Sequence, residues 1–393
     1  MKLLFLISRF LDGGIDTVLV EYLNGLCRNT VHDVTLAIGM KMNEAEVFLP
    51  RISPEVRIEY LVDNDILTAY KRAGHRHKKN ALHGALDEAF LNPLRRLLMR
   101  RRLKALAADK DVVVDFDSCF SSFMDAVPES TRKLMWFHFS LAAEAERAPK
   151  RIKRLRKNIH RYDRVILIAD AMKKEAERMM PEYKEKFCRI YNCLNRDNIV
   201  RKAGETLGDS RIETEFFLAV ERLEESQKDL TTLFKAYARL RSTATDIDVP
   251  ELYVIGEGRS RPELERLIKS LGMEHHIALL GFRSNPYPWM KAAQALVHSS
   301  KFEGLPTVLA EGLMLGKVII STDCPTGPSE ILAKGKAGLL APAGDVYALS
   351  CAMHMAVADK ELRTRLVEEG KRHRLMFLPE QSIKDLNRLI ESI

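Results

Sequence analysis

Short apolar runs separated by amphipathic stretches recur along the whole chain. Runs at residues 3–7, 34–38, 112–114, 133–137 and 165–168 are followed, in the second half, by runs at 216–220, 252–255, 278–280, 295–298 and 318–320. They are rich in Val, Ile and Leu and do not alternate with polar residues, as expected of strands buried on both faces of a parallel sheet. Helical periodicity separates most of them, for example over residues 16–27 and 171–180. This alternation predicts a doubly wound α/β architecture. It is interrupted once, by a polar and weakly periodic stretch at 192–215 that contains Gly204 and Gly208. A linker is expected there, dividing the chain into lobes at 1–195 and 196–376. No repeat of fixed period is present, which argues against a solenoid.

A length of 393 residues suits two domains, and 46% apolar with 30% charged residues is ordinary globular composition. No stretch approaches the roughly 18 apolar residues that span a bilayer. The opening apolar run is shorter than a signal-peptide core and reads as a first buried strand, so a cytoplasmic protein is expected. The six cysteines form no CxxC pair or Cys/His ligand set and read as scattered thiols.

Charge changes the picture more. Residues 1–196 carry 36 Lys/Arg against 26 Asp/Glu, and the remainder 26 against 28. The excess is concentrated in basic segments at 71–79, 94–104 and 150–157. Leu and Arg are mixed in the second of these, so Arg95, Arg96, Arg100, Arg101 and Arg102 are expected to face an anionic membrane surface. A solvated helix face is the other reading. No aromatic residues interleave the cations, and nucleic acid is not expected.

The candidate chemistry lies in residues 302–317, Phe-Glu-Gly-Leu-Pro-Thr-Val-Leu-Ala-Glu-Gly-Leu-Met-Leu-Gly-Lys. Pro306 fits the first turn of a helix and Gly316 its C-terminal cap. Glu311 then falls in mid-helix among apolar neighbours, where a carboxylate needs hydrogen-bond partners such as ribose hydroxyls. Glu303 precedes the helix N-terminus, whose free N–H groups attract a diphosphate.

Two glutamates so spaced, followed by Val318-Ile319-Ile320 and by Cys324-Pro325-Thr326-Gly327-Pro328-Ser329-Glu330, resemble the E-x7-E region of glycosyltransferase family 4, the retaining GT-B enzymes. The likeness extends over almost the whole chain. It implies two Rossmann-like lobes with an interlobe cleft, a nucleotide-sugar donor held by the second lobe, and an acceptor on the first. Residues 219–229 resemble the family's Arg-Leu...Lys element, which implies that Arg222 and Lys228 stabilise the leaving diphosphate. The family usually has a small residue where Glu221 stands, and a carboxylate there weakens the cradle unless it turns away. Gly256 is implied beside the donor pocket, and Phe282 and Arg283 resemble the loop that reads the base. Gly304, Leu305, Pro306, Thr307 and Glu311 complete the implied donor site. In the first lobe, Gly13 and Gly14 resemble the loop near phosphate and acceptor, and His138 a histidine that contacts the donor sugar. Residues 377–393 resemble a terminal helix returning to the first lobe.

Asp115-Phe116-Asp117 has the form of a GT-A metal motif, but it stands far in sequence from the phosphate cations. No metal or other cofactor is expected. The resemblance implies retaining transfer of a hexose or N-acetylhexosamine, with UDP as the family's usual carrier. The basic first lobe points to a glycolipid or other lipid-linked saccharide acceptor in lipopolysaccharide or capsule assembly, at the cytoplasmic face of the membrane. Two other readings stay open: another GT-B sugar-nucleotide enzyme, such as an epimerase, and a non-catalytic GT-B binding protein.

Overall fold

The computed structural model describes residues 1–11, 13–76 and 81–393, with side chains at 73–76 and 81–83 left aside. Asp12 of the glycine loop and residues 77–80 at the end of the first basic segment lie outside the described residues. The chain divides into two units. The first holds Met1–Ile168, Lys173–Cys193 and Pro379–Ile393, and the second holds Ala169–Met172 and Leu194–Leu378.

The first unit is built on seven parallel strands, β1 (Lys2–Ile7), β2 (Asp33–Met40), β3 (Arg57–Val62), β4 (Val112–Asp115), β5 (Arg132–Phe137), β6 (Arg164–Leu167) and β7 (Phe187–Arg189), in the order β3-β2-β1-β4-β5-β6-β7. The central strands are apolar throughout because helices cover both faces; Leu3 to Leu6 and Val112 to Val114 are fully buried. The helix Pro379–Glu391 packs on the helix Gly14–Asn29, burying Ile383, Leu386 and Ile390. The fit is close at Gly25, where a Cβ would fall 2.2 Å from Ile383 Cδ1.

The second unit repeats the plan with six parallel strands. These are β8 (Phe216–Val220), β9 (Glu251–Ile255), β10 (Ile277–Gly281), β11 (Ala295–His298), β12 (Val318–Asp323) and β13 (Leu339–Pro342), in the order β10-β9-β8-β11-β12-β13. One core cluster centres on Leu218, Trp289 and Met290, and a larger one on Phe217, Val254, Val297 and Ile320.

In both sheets the first strand neighbours the second on one side and the fourth on the other. The strand order therefore reverses between β1 and β4, and again between β8 and β11. Crevices beyond the carboxyl ends of strands at such a reversal are where doubly wound folds bind ligands.

The expected linker at 192–215 is not an unstructured tether. It contains the helix Arg196–Ala203, and the Asn195 side chain caps it by accepting from Asn198 N at 3.0 Å. Three strands escaped the sequence pattern: β3, β7 and β13. No helix among the described residues is long and apolar enough to cross a membrane.

Candidate active site

The reversal point of the second sheet gathers the most densely connected polar cluster of that unit. Glu221 and Arg222 directly follow β8, Gln227 and Lys228 lie in the loop after them, and β11 ends at His298, with Ser299 and Ser300 leading to Glu303. Glu303 is buried, and its carboxylate receives Lys228 Nζ in a short ion pair. Ser300 Oγ donates to the same oxygen at 2.7 Å, and Gln227 Nε2 approaches the other at 3.4 Å. Arg222 is solvent-exposed and lies 3.3 Å from Gln227 Oε1. Arg222, Gln227, Glu303 and Lys228 thus form one linked set. Burial alone raises the Glu303 carboxyl, but Lys228 and His298 outweigh it and hold the group well below its ordinary range.

Glu221 is engaged by the end of β11. Its carboxylate is buried, accepts from Ser299 N at 2.9 Å and lies 2.9 Å from His298 Nδ1. The backbone around it leaves no room for side chains. At Gly256, where φ is 146°, a Cβ would sit 1.8 Å from Glu221 O, and at Gly258 it would sit 2.2 Å from Leu223 O.

Residues 303–307 lead into the helix Thr307–Met314, with Pro306 just before it. Thr326 Oγ1 donates to Glu303 O in a short bond. Gly327, at φ 95°, packs so closely that a Cβ would lie 2.4 Å from Pro306 Cδ and 3.0 Å from Gly304 O. The loop is therefore braced by the segment after β12, with Gly304 half-buried, Leu305 and Pro306 buried, and Thr307 at the helix start. Glu311 is partly accessible but crowded by protein. Burial pushes its carboxyl up to about 7, with Tyr287 and Lys202 pulling the other way. Phe282, 68% exposed, and Arg283 follow β10 on an open loop.

Two further expected site regions belong to the first unit. Gly13 caps the helix Gly14–Asn29; Gly13 N and Leu11 N donate to Asp16 at 2.9 and 3.1 Å, closing the glycine loop. A Cβ on Gly14 would meet nothing within 4 Å. His138 is buried just after β5 with Nε2 2.8 Å from Phe116 O, which makes Nε2 the protonated nitrogen and leaves Nδ1 as an acceptor. Burial pulls its pKa down to about 3, so the ring is neutral.

The Asp-x-Asp pair is occupied with structural bonds. Asp115 is fully buried and accepts from Tyr162 Oη at 2.7 Å and Phe120 N at 3.0 Å, and burial followed by the charge of Asp117 pushes it up to about 8. Asp117 accepts from Ser8 N at 2.8 Å and Cys119 N at 3.2 Å.

One expectation fails outright. Arg95 is not on a cationic face: it is buried, donates to both oxygens of Asp87 at 2.7 and 2.6 Å, and reaches Leu67 O. A guanidinium loses its hydration only where such a fork of partners replaces it. Arg100 and Arg102 are likewise paired, with Asp125 and Glu59.

Gln227, His298, Ser300 and Thr326 were not found from the sequence. The one available signal was the polar run His298-Ser299-Ser300 directly after three apolar residues of a buried strand.

Residues 208–373 match the family model of glycosyl transferases group 1. The chain is 33% identical over 182 residues to N-acetylgalactosamine-N,N'-diacetylbacillosaminyl-diphospho-undecaprenol 4-alpha-N-acetylgalactosaminyltransferase of Campylobacter jejuni, covering 46% of this chain and 47% of that relative. That match therefore spans about half the relative's length. A second C. jejuni relative, GalNAc-alpha-(1->4)-GalNAc-alpha-(1->3)-diNAcBac-PP-undecaprenol alpha-1,4-N-acetyl-D-galactosaminyltransferase, is 27% identical, with 94% of this chain and 93% of the relative covered. Among solved structures, Anabaena HepE in complex with UDP superposes with a TM-score of 0.76 at 15% identity, over the full length of both chains.

Proposed function

Starting from a GT-B fold whose second unit carries a glycosyl transferases group 1 domain, we propose that this protein transfers a hexose or N-acetylhexosamine from a nucleotide-diphosphate sugar, with UDP as carrier, to a lipid-linked saccharide. The observation that carries this reading is the Arg222–Gln227–Glu303–Lys228 set at the β8/β11 reversal. It links two cations to Glu303, which precedes the helix Thr307–Met314, and a diphosphate bound there would be met by charge and by free backbone N–H groups.

In this reading Arg222 and Lys228 stabilise charge that grows on the β-phosphate as the glycosidic bond breaks. They do so without a metal, and the Asp115/Asp117 pair plays no part. Glu311, near neutrality in its pKa, hydrogen-bonds the ribose, and Phe282 and Arg283 border the base. Retention follows from front-face attack assisted by the leaving phosphate, and no carboxylate of the site is assigned as a covalent nucleophile. The lipid-linked acceptor is supported by the undecaprenol-linked substrates in the names of the two C. jejuni relatives. With such an acceptor the protein acts, in this reading, in surface polysaccharide or lipopolysaccharide assembly at the cytoplasmic face of the membrane.

The test is a panel of UDP-, GDP- and ADP-sugars, assayed for transfer to undecaprenyl-diphosphate saccharides and for slow hydrolysis. Transfer with retained anomeric configuration is expected. Epimerised donor without acceptor use would support the epimerase reading, and no turnover or binding of any donor would leave a binding role.

A further inference from the structure

Four ionisable side chains meet at the reversal point of the second sheet: Glu221, Lys228, His298 and Glu303. Glu221, His298 and Glu303 are each buried, and the Lys228 side chain is 11% exposed. His298 Nδ1 lies 2.9 Å from Glu221 Oε1 and Nε2 lies 3.5 Å from Glu303 Oε1, so each ring nitrogen faces a different carboxylate. Both contacts lie within ion-pair range. The other Glu221 oxygen has no hydrogen-bond partner among the described residues.

Charge decides what this arrangement requires. With His298 neutral, the cluster carries two negative charges and one positive, with both carboxylates and the ring buried. A buried carboxylate without a cation is strongly unfavourable. With His298 protonated the four groups sum to zero.

Resting on the transferase reading above, we propose that His298 is a positioning residue: as a cation held by Glu221, it fixes the Glu303 carboxylate and, through it, the Lys228 ammonium that receives the donor diphosphate. Burial opposes protonation of the ring and Lys228 repels it, but Glu221 and Glu303 raise it on balance. Glu221, the residue out of place beside a phosphate cradle, is in this view the counterion that makes a buried imidazolium stable. The pair adds a cation behind the Glu303 carboxylate without placing one in contact with substrate.

The test combines a spectroscopic and a kinetic arm on the full-length protein. Histidine side-chain 15N spectra, assigned to His298 by comparison with His298→Gln, should show both ring nitrogens protonated at about pH 7.5, above the ordinary histidine pKa. In Glu221→Gln the ring should be neutral at that pH. Kinetically, His298→Gln should lower kcat by about tenfold while donor KM stays within about threefold, because Lys228 loses its fixed position rather than its charge. Glu221→Gln should make kcat fall as pH rises over a range where the wild type is flat, because burial and Lys228 then oppose the charge and only Glu303 holds it. Should His298→Gln unfold, because it leaves Glu221 buried without a cation, the double variant Glu221→Gln, His298→Gln removes both charges together and serves the same kinetic comparison. A neutral ring in the wild type, or unchanged kcat on losing His298, overturns the proposal. A charged ring in a protein that turns over no nucleotide sugar tells instead against the transferase reading.

Discussion

Lys228 and Arg222 differ in how they are held, and this separates their expected contributions. Lys228 is largely enclosed and anchored on Glu303, whereas Arg222 is exposed and lies 3.3 Å from Gln227 Oε1. If both meet charge that develops on departure, each Ala substitution depresses kcat more than donor affinity. The loss should be roughly 10²-fold for Lys228→Ala, as for one preorganised charge contact, and smaller for Arg222→Ala, whose side chain is exposed. Steady-state kinetics with a nucleotide sugar would check this; near-normal turnover by Lys228→Ala removes it from the mechanism. Asp115 makes a separate prediction. Its folded pKa is raised from 3.8 to about 8, so the folded state holds this proton more tightly than the unfolded chain. The stability this contributes is complete below the unfolded pKa and is lost as pH rises through the folded one. Thermal denaturation of the wild type should therefore weaken relative to Asp115→Asn between about pH 5 and about pH 8, and equal slopes would refute it. Glu303 and Glu311 were legible because one stands just before a helix start and the other is a carboxylate within that apolar helix, whereas Arg222 and Lys228 were legible through the family resemblance of residues 219–229. Gln227, His298 and Ser300 were not, because their role exists only where β8 and β11 lie side by side. Arg95 was misread for the same reason: a charge pattern does not reveal that Asp87 waits one helical stretch away.

At the scale of elements, ten strands followed from apolar runs and three did not. The three that escaped, β3, β7 and β13, are all edge strands. β3 alternates Arg57 and Glu59 with apolar residues, β7 is three residues long, and β13 ends in Pro342. Edge strands are half-covered, short and often charged, which protects them from pairing with other chains and also erases the continuous apolar signal. The helix Arg196–Ala203 was hidden for a different reason. It is polar over most of its length, with only Ile199 and Ala203 buried, so its periodicity is weak and its cap is the main local signal. That cap is measurable. Asn195→Ala should cost about 1 kcal/mol in chemical denaturation through loss of the bond to Asn198 N, while Asn195→Asp should cost much less. A similar loss for both variants would mean that Asn195 acts through something other than capping.

Over the whole molecule the charge asymmetry survives, but its carriers change. With Arg95, Arg100 and Arg102 committed to Asp87, Asp125 and Glu59, the helical stretch ending in Asn92–Ala107 presents Leu86, Phe90, Leu94 and Leu97 to solvent at spacings of three and four. Phe90 is 70% exposed, and the exposed Arg101 and Lys104 continue the same face. An apolar stripe ending in cations suits insertion at a lipid headgroup boundary better than charge alone would. The unmodified protein should cosediment with anionic vesicles and be released as salt screens the contact. Replacing Phe90, Leu94 and Leu97 by Ser should weaken binding at every salt concentration, and Arg101→Gln with Lys104→Gln mainly at low salt. Protein left in the supernatant with anionic vesicles at low salt would remove the membrane from the proposed function and leave the transfer chemistry untouched.

The passage of the chain from the first unit to the second and back also bears on its synthesis. Residues 379–391 leave the ribosome after every residue of the second unit, yet Ile383, Leu386 and Ile390 complete the core of the first. Until then the apolar face of the helix Gly14–Asn29, notched at Gly25 to receive Ile383, has no cover. The second unit needs nothing made after Leu378 and can close while its predecessor still waits. The nascent chain therefore carries an amino-terminal unit whose core stays incomplete while the whole second unit is made.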